Sequence, residues 1–272
     1  MPLVSITDPN DPRLADYRFL RDRDLRRGDE GLFVGEQFLV VEEMLKRPGV
    51  VRSVLVDERF LARLAPQVPE DVPLLAGSAE LLERIVGFHI HRGVLAVGTR
   101  AAVESPSLDD LLERVPPPGD ATLLLLEDIA NIDNMGLLFR NAAAFGVDGV
   151  LLSPRCHDPL YRRVLRVSIG HVLNVPWTRS RDWPNDLRTL RERHGFTLLA
   201  AALKPGAAPL DEVERPPRVG LLVGTEFAGV SAAALACCDR PVRIPMAPGV
   251  DSLNVGVAAA VCLHRLSRAD RV

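Results

Sequence analysis

The chain has little that would serve a metal, a membrane or a nucleotide phosphate. Its four cysteines, Cys156, Cys237, Cys238 and Cys262, include no C-x-x-C pair and no His or Cys set at zinc spacing, which argues against a bound metal. No stretch reaches eighteen uninterrupted apolar residues, and Met1-Pro2-Leu3-Val4-Ser5 lacks the basic and apolar regions of a signal peptide. The expectation is a cytoplasmic location with reduced thiols and no membrane partner. No G-x-G-x-x-G follows a strand and no G-x-x-x-x-G-K-[ST] is present, so nicotinamide-dependent and nucleotide-hydrolysing enzymes lack their phosphate loops here. A large excess of positive charge is missing as well. With 33 basic and 36 acidic residues the formal charge is −3, which disfavours a broad electrostatic footprint but leaves room for a local phosphate-binding patch.

What is present is ordinary globular material: 47 % hydrophobic and 25 % charged residues, in a chain whose 272 residues favour two domains. The clearest boundary is residues 105–120. Ser107 there can cap a short helix with Asp110 three residues on, and Pro116-Pro117-Pro118-Gly119 then interrupts regular structure. The reading is a small α/β domain over 1–104, a linker over 105–120 and a second α/β domain over 121–272. In the first domain, helices are predicted near 37–46, 58–64 and 78–85, with strands at 51–56 and 94–97. In the second, strands are predicted at 122–127, 149–152, 197–202 and 221–223. Helices are predicted at 134–145, near 160–169 and at 252–267.

Three polar islands in the second half carry the chemistry. They are Asn131-Ile132-Asp133-Asn134-Met135-Gly136 leading to Arg140, then Gly224-Thr225-Glu226-Phe227-Ala228-Gly229, then Ile244-Pro245-Met246 leading to Ser252-Leu253-Asn254-Val255. Each follows an apolar run, at 123–126, 220–223 and 242–244, of the kind that forms central strands of a parallel sheet, and ligands bind at such strand ends. Taken singly, each island has a bland explanation. Asn134 or Ser252 is a good helix cap, Arg140 a surface ion pair, Gly-x-Glu a turn with a solvated carboxylate. Their order and placement together favour a site. Gly224 after a buried strand leaves room for a flat ligand, while Ile244, Met246 and Leu253 supply apolar walls. Between the first two islands, Arg155, Arg162, Arg163 and Arg166 form the best phosphate-binding candidate, with a solvated basic helix face as the competing reading.

The three islands resemble motifs one to three of the SpoU, or TrmH, family of SPOUT RNA methyltransferases. The resemblance implies a parallel-sheet α/β domain with a deep trefoil knot, a homodimer formed through that domain, and S-adenosylmethionine as cofactor. It implies transfer of a methyl group to a ribose 2′-hydroxyl of ribosomal or transfer RNA, with ribosomal RNA favoured. Under it, Gly224, Ile244, Met246 and Leu253 lie at the cofactor, and Asn134, Arg140, Glu226, Ser252 and Asn254 on the catalytic face. Phe33-Val34-Gly35-Glu36-Gln37 and 87–93 look like the ribosomal-protein-like substrate-binding domain of many members, although Gly35-Glu36 stands where most have Glu-Gly.

A guanidinium offers only donors and stays charged, so Arg140 is a poor general base as it stands. It acts either through a pKa lowered by burial in the complex, or as a fixed cation that stabilises a developing alkoxide while another group takes the proton; the second is favoured. The competing class is a noncatalytic knotted RNA-binding or ribosome-assembly protein, against which the full set Asn134, Arg140, Glu226, Ser252 and Asn254 argues.

Overall fold

The computed structural model describes residues 3–18, 20, 31–87, 93–116, 119–225, 228–250 and 252–267. The chain divides into two compact units, Met1–Val103 with Pro159–Leu173, and Glu104–Asp158 with Asn174–Val272.

The first unit holds β1 (Leu3–Ser5), β2 (Leu32–Glu36), β3 (Val51–Asp57), β4 (Leu74–Gly77) and β5 (Val94–Thr99), in the order β1-β4-β3-β5-β2. The strands β1, β4 and β3 run parallel, while β5 is antiparallel to both β3 and β2. Helices α1 (Phe38–Leu45), α2 (Leu61–Leu64) and α3 (Ala79–Val86) accompany them. The limits of α3 follow from local chemistry. Ser78 Oγ accepts the Leu81 N–H at 3.3 Å, Leu81, Leu82, Ile85 and Val86 form the buried face, and Gly87 ends the helix at φ 81°. That face joins Leu55, Leu75, Leu95 and Tyr17 in one core.

The second unit begins with α4 (Leu108–Glu113), inside the stretch read as a linker. Ser107 caps it as its sequence predicts, accepting from Asp110 N at 3.2 Å and donating to the Asp110 carboxylate, and Leu111 is fully buried. Then come β6 (Ala121–Leu126), α5 (Ile132–Ala144) and β7 (Gly149–Leu152). The next helix, α6 (Arg162–Val167), belongs to the first unit, where Gly170 lies so close to α1 that a Cβ would meet the Glu43 Cβ at 2.9 Å. The second unit resumes with β8 (Trp177–Arg179), α7 (Asn185–Glu192), β9 (Thr197–Ala201), β10 (Ala208–Pro209) and β11 (Arg218–Val223). It closes with α8 (Ala232–Leu235), β12 (Arg240–Arg243) and α9 (Val255–Leu266).

These strands form an all-parallel sheet in the order β10-β12-β9-β11-β6-β7-β8. The strands expected around 123–126, 220–223 and 242–244 are β6, β11 and β12. Leu123 to Leu126 of β6 are each 0 % exposed, which fits a strand covered on both faces. The chain runs outward through β6, β7 and β8, then returns to build β9 and β11 on the other side of β6. A reversal of strand order of this kind opens a crevice at the carboxyl ends.

Candidate active site

The carboxyl ends of β9, β11 and β12 open on a cavity of about 420 Å³. Residues 201–204 after β9, 223–225 and 228–230 around the end of β11, and 242–244 with Met246 at β12 form its walls, with Ser252, Leu253, Val255 and Ala258 beside them. All four positions expected at the cofactor, Gly224, Ile244, Met246 and Leu253, therefore line one space, and Ser252 joins them. Thr225, Val230, Lys204 and Ala258 were missed. Val230 and Ala258 carry no polar signal, and Lys204 follows a strand whose end looked like any other loop.

Gly224 lines this cavity for a different reason from the one its sequence suggests. A Cβ there would stand 2.1 Å from the Gly229 carbonyl oxygen and 2.6 Å from Val230 N. The space above it is filled by the chain's own turn. Thr225 and Gly229 exchange N–H···O bonds of 3.2 and 2.9 Å, and Thr225 Oγ1 accepts from Ala228 N at 3.0 Å. Glycine is required so that this turn can fold back over the strand end.

The first and third islands meet at two helix starts. The cap of α5 is Asn131, whose Oδ1 accepts from Asp133 N at 2.9 Å and Asn134 N at 3.0 Å. The cap of α9 is Asn254, whose Oδ1 accepts from Gly256 N at 2.9 Å and Val257 N at 3.3 Å. Neither Asn134 nor Ser252 caps a helix. Asn134 lies inside the first turn of α5, 6 % exposed, and its Oδ1 accepts from Asn254 Nδ2 at 2.8 Å. Gly256 lets α9 approach closely, since a Cβ would meet Leu137 Cδ2 at 2.4 Å, and Asn141 Nδ2 donates to Gly256 O at 2.7 Å. Two amides are thus locked together where two helix N-termini, each with positive dipole ends, converge beside the cavity.

Arg140 stands on the exposed side of α5, with no hydrogen bond or ion pair among the described residues. Glu226 lies outside the described residues, as do 88–92 of the string 87–93.

The basic segment is divided. Arg155 pairs with Asp128, which adopts φ 55° and also accepts from Ser153 Oγ at 2.8 Å. The Arg155 guanidinium holds the Asp128 carboxyl below the usual carboxylate range. Arg162 and Arg166 approach the buried carboxylate of Glu36 at 3.9 and 3.8 Å in the first unit. Arg163 is exposed. The alternation along a short helix decides this, because Val164 and Leu165 are buried and Arg163 falls outside the face shared by Arg162 and Arg166.

A parallel sheet with a ligand-sized cavity at the carboxyl ends of β9, β11 and β12 places the second unit among α/β proteins that hold a small molecule at their strand ends. Residues 121–264 match the model of the SpoU rRNA Methylase family, and the chain belongs to that family of RNA methyltransferases. An "uncharacterized tRNA/rRNA methyltransferase" of Mycobacterium tuberculosis is 41 % identical over 243 residues, covering 86 % of this chain and 81 % of that one. The 23S rRNA (guanosine(2553)-2′-O)-methyltransferase RlmP of Bacillus subtilis is 28 % identical over 236 residues, 86 % of this chain and 87 % of its own. In fold, the chain is similar to the AdoMet-bound rRNA methyltransferase of Sinorhizobium meliloti, with a TM-score of 0.81 over 97 % of each chain at 22 % identity.

Proposed function

We propose that this protein transfers the methyl group of S-adenosylmethionine to a ribose 2′ oxygen of RNA, with ribosomal RNA as the substrate class. The observation that carries the reading is the cavity at the ends of β9, β11 and β12, whose lining residues Leu253 and Val255 flank Asn254, the hydrogen-bond partner of Asn134. Its volume falls within the roughly 300–1,000 Å³ of small-molecule sites. The cofactor fits its donor set: Val223, Val242, Ile244 and Leu253 offer apolar walls to a flat base, and residues 224–225, 228–230, 244 and 246 offer main-chain groups to its edge. When bound, S-adenosylmethionine supplies an activated methyl group, so the residues here must align and polarise the acceptor.

Asn134 and Asn254, fixed by their mutual hydrogen bond, orient the ribose. Arg140 presents a fixed cation that steadies the charge growing on the 2′ oxygen as its proton leaves to water or a neighbouring group. Glu226 and Ser252 complete the catalytic face. Arg163, with the exposed edges of Arg155, Arg162 and Arg166, meets the RNA backbone, and the domain read over residues 1–104 binds the substrate RNA.

A homodimer through the second unit and a trefoil knot complete the reading. Leu253, Val257 and Val261 are 39 %, 45 % and 41 % exposed at four-residue spacing, an apolar stripe suited to a second copy. The insertion of β11 between β6 and β9, with β12 on the far side of β9, supports the knot. Among the described residues no helix is long and apolar enough to cross a membrane, and the location we propose is the cytoplasm.

The test is transfer of labelled methyl from S-adenosylmethionine to ribosomal and transfer RNA from cells lacking the protein. Label recovered as 2′-O-methylnucleoside in ribosomal RNA is the expected result, and label only in bases would overturn it.

A further inference from the structure

The carboxylate of Glu127 is 4 % exposed, yet none of the three islands includes it. It stands one residue beyond β6 and fastens the cavity turn at both ends. Its backbone N–H donates to Val223 O at 2.9 Å, just before Gly224. Its side chain accepts from Ser231 N at 2.8 Å through Oε2 and from Ser231 Oγ at 2.7 Å through Oε1. Oε1 also accepts from Trp183 Nε1 at 2.9 Å, which orients the carboxylate from the β8–α7 side. Ser231 in turn caps α8, accepting from Ala234 N at 3.1 Å. The turn held between Val223 and Ser231 supplies Gly224, Thr225, Gly229 and Val230 to the cavity wall.

We propose that Glu127 is a positioning residue for the cofactor: one buried carboxylate, oriented by Trp183, fixes Val223 and Ser231 and with them the cavity-lining residues Gly224, Thr225, Gly229 and Val230, and so the affinity of the cavity. The proposal rests on the cofactor reading given above. A buried carboxylate with three donors is a strong anchor, and removing one acceptor site leaves Ser231 N without its partner. Glu127→Gln is nearly isosteric. Its amide oxygen can still accept from Trp183 and Ser231 Oγ, but its NH2 faces the Ser231 N–H, donor against donor.

The experiment is calorimetric titration of the full-length protein with S-adenosylhomocysteine, alongside thermal unfolding. For Glu127→Gln we expect affinity to fall at least about tenfold while the unfolding midpoint stays within about 3 °C of wild type. Ser231→Thr, which keeps both donors, should bind as wild type does. A folded Glu127→Gln that binds as tightly as wild type overturns the proposal, and so does an affinity loss matched by a large drop in midpoint. Should Glu127→Gln fail to fold, Ser231→Ala is read by the same criteria. If wild type itself does not bind S-adenosylhomocysteine, it is the cofactor reading that fails.

Discussion

Adding one methyl group at Gly224 tests how the cavity is built. In Gly224→Ala the new Cβ lands 2.1 Å from Gly229 O, 2.4 Å from Gly229 C and 2.6 Å from Val230 N. All three are backbone atoms, so no rotamer change relieves the contact. The turn must open, and the paired Thr225–Gly229 hydrogen bonds go with it. Two lost hydrogen bonds at about 0.5–1.5 kcal/mol each, plus overpacking at about 1–3 kcal/mol, give a destabilisation of about 2–6 kcal/mol. Gly256→Ala is the contrasting case, since its Cβ meets the Leu137 side chain and part of its cost is offset by roughly 1 kcal/mol of helix propensity. Urea unfolding followed by circular dichroism measures both, and titration with S-adenosylhomocysteine reads the cavity. We expect Gly224→Ala to be the less stable of the two and to bind weakly. A Gly224→Ala protein within about 0.5 kcal/mol of wild type, with unchanged affinity, would refute the close backbone approach.

Three further outcomes follow from other contacts. Asn254→Ala removes the α9 cap and the bond to Asn134, so unfolding should show a loss of about 1–3 kcal/mol and single-turnover methyl transfer should slow; an unaltered protein would mean the amide pair is incidental. The Asp128 carboxyl is held below its ordinary range, so its contribution is present above the unfolded pKa of about 3.9 and lost as pH falls through the folded value. Asp128→Asn should accordingly be less stable than wild type at pH 7, with the gap closing below about pH 4; a gap independent of pH would show that Arg155 is not the cause. Arg163→Ala should weaken RNA binding and reduce its salt slope by about 1, and an identical slope would show that Arg163 does not contact the RNA backbone.

The parallel sheet was legible because β6, β11 and β12 carry their apolar runs locally, and the islands that follow them lie where a strand end must leave the core. The helix caps were harder. Asn131 and Asn134 are equally good cap residues on paper, and only the geometry shows that Asn131 takes the cap and frees Asn134 to receive Asn254 across 120 residues of sequence. The same holds for Ser252 and Asn254. In sequence Gly224 reads as leaving room for a flat ligand, but what a side chain there would meet is the Gly229 backbone, and turn closure leaves no periodic trace. The strand β8 is three residues long and follows Pro176, too short for alternation to register. The attachment of residues 159–173 to the first unit depends on Glu36 and Gly170 meeting partners more than a hundred residues away, which no local pattern encodes. Glu127 escaped for a related reason, since a lone carboxylate after an apolar run looks like a solvated strand end until Ser231 and Trp183 are seen to enclose it.

If the Asn134–Asn254 corner and Arg140 serve transfer of a methyl group to an RNA ribose, as proposed, the 2′-O-methylation of cellular RNA depends on this protein and on Arg140. Mapping 2′-O-methyl groups across ribosomal and transfer RNA, in cells lacking the protein and in the same cells supplied with wild type, Arg140→Lys or Arg140→Ala, tests it most directly. The account predicts a ribosomal 2′-O-methyl site that disappears without the protein, returns with wild type, and stays absent with both Arg140 variants although they fold and bind S-adenosylhomocysteine. A map unchanged by loss of the protein, or a site fully restored by Arg140→Ala, would contradict it.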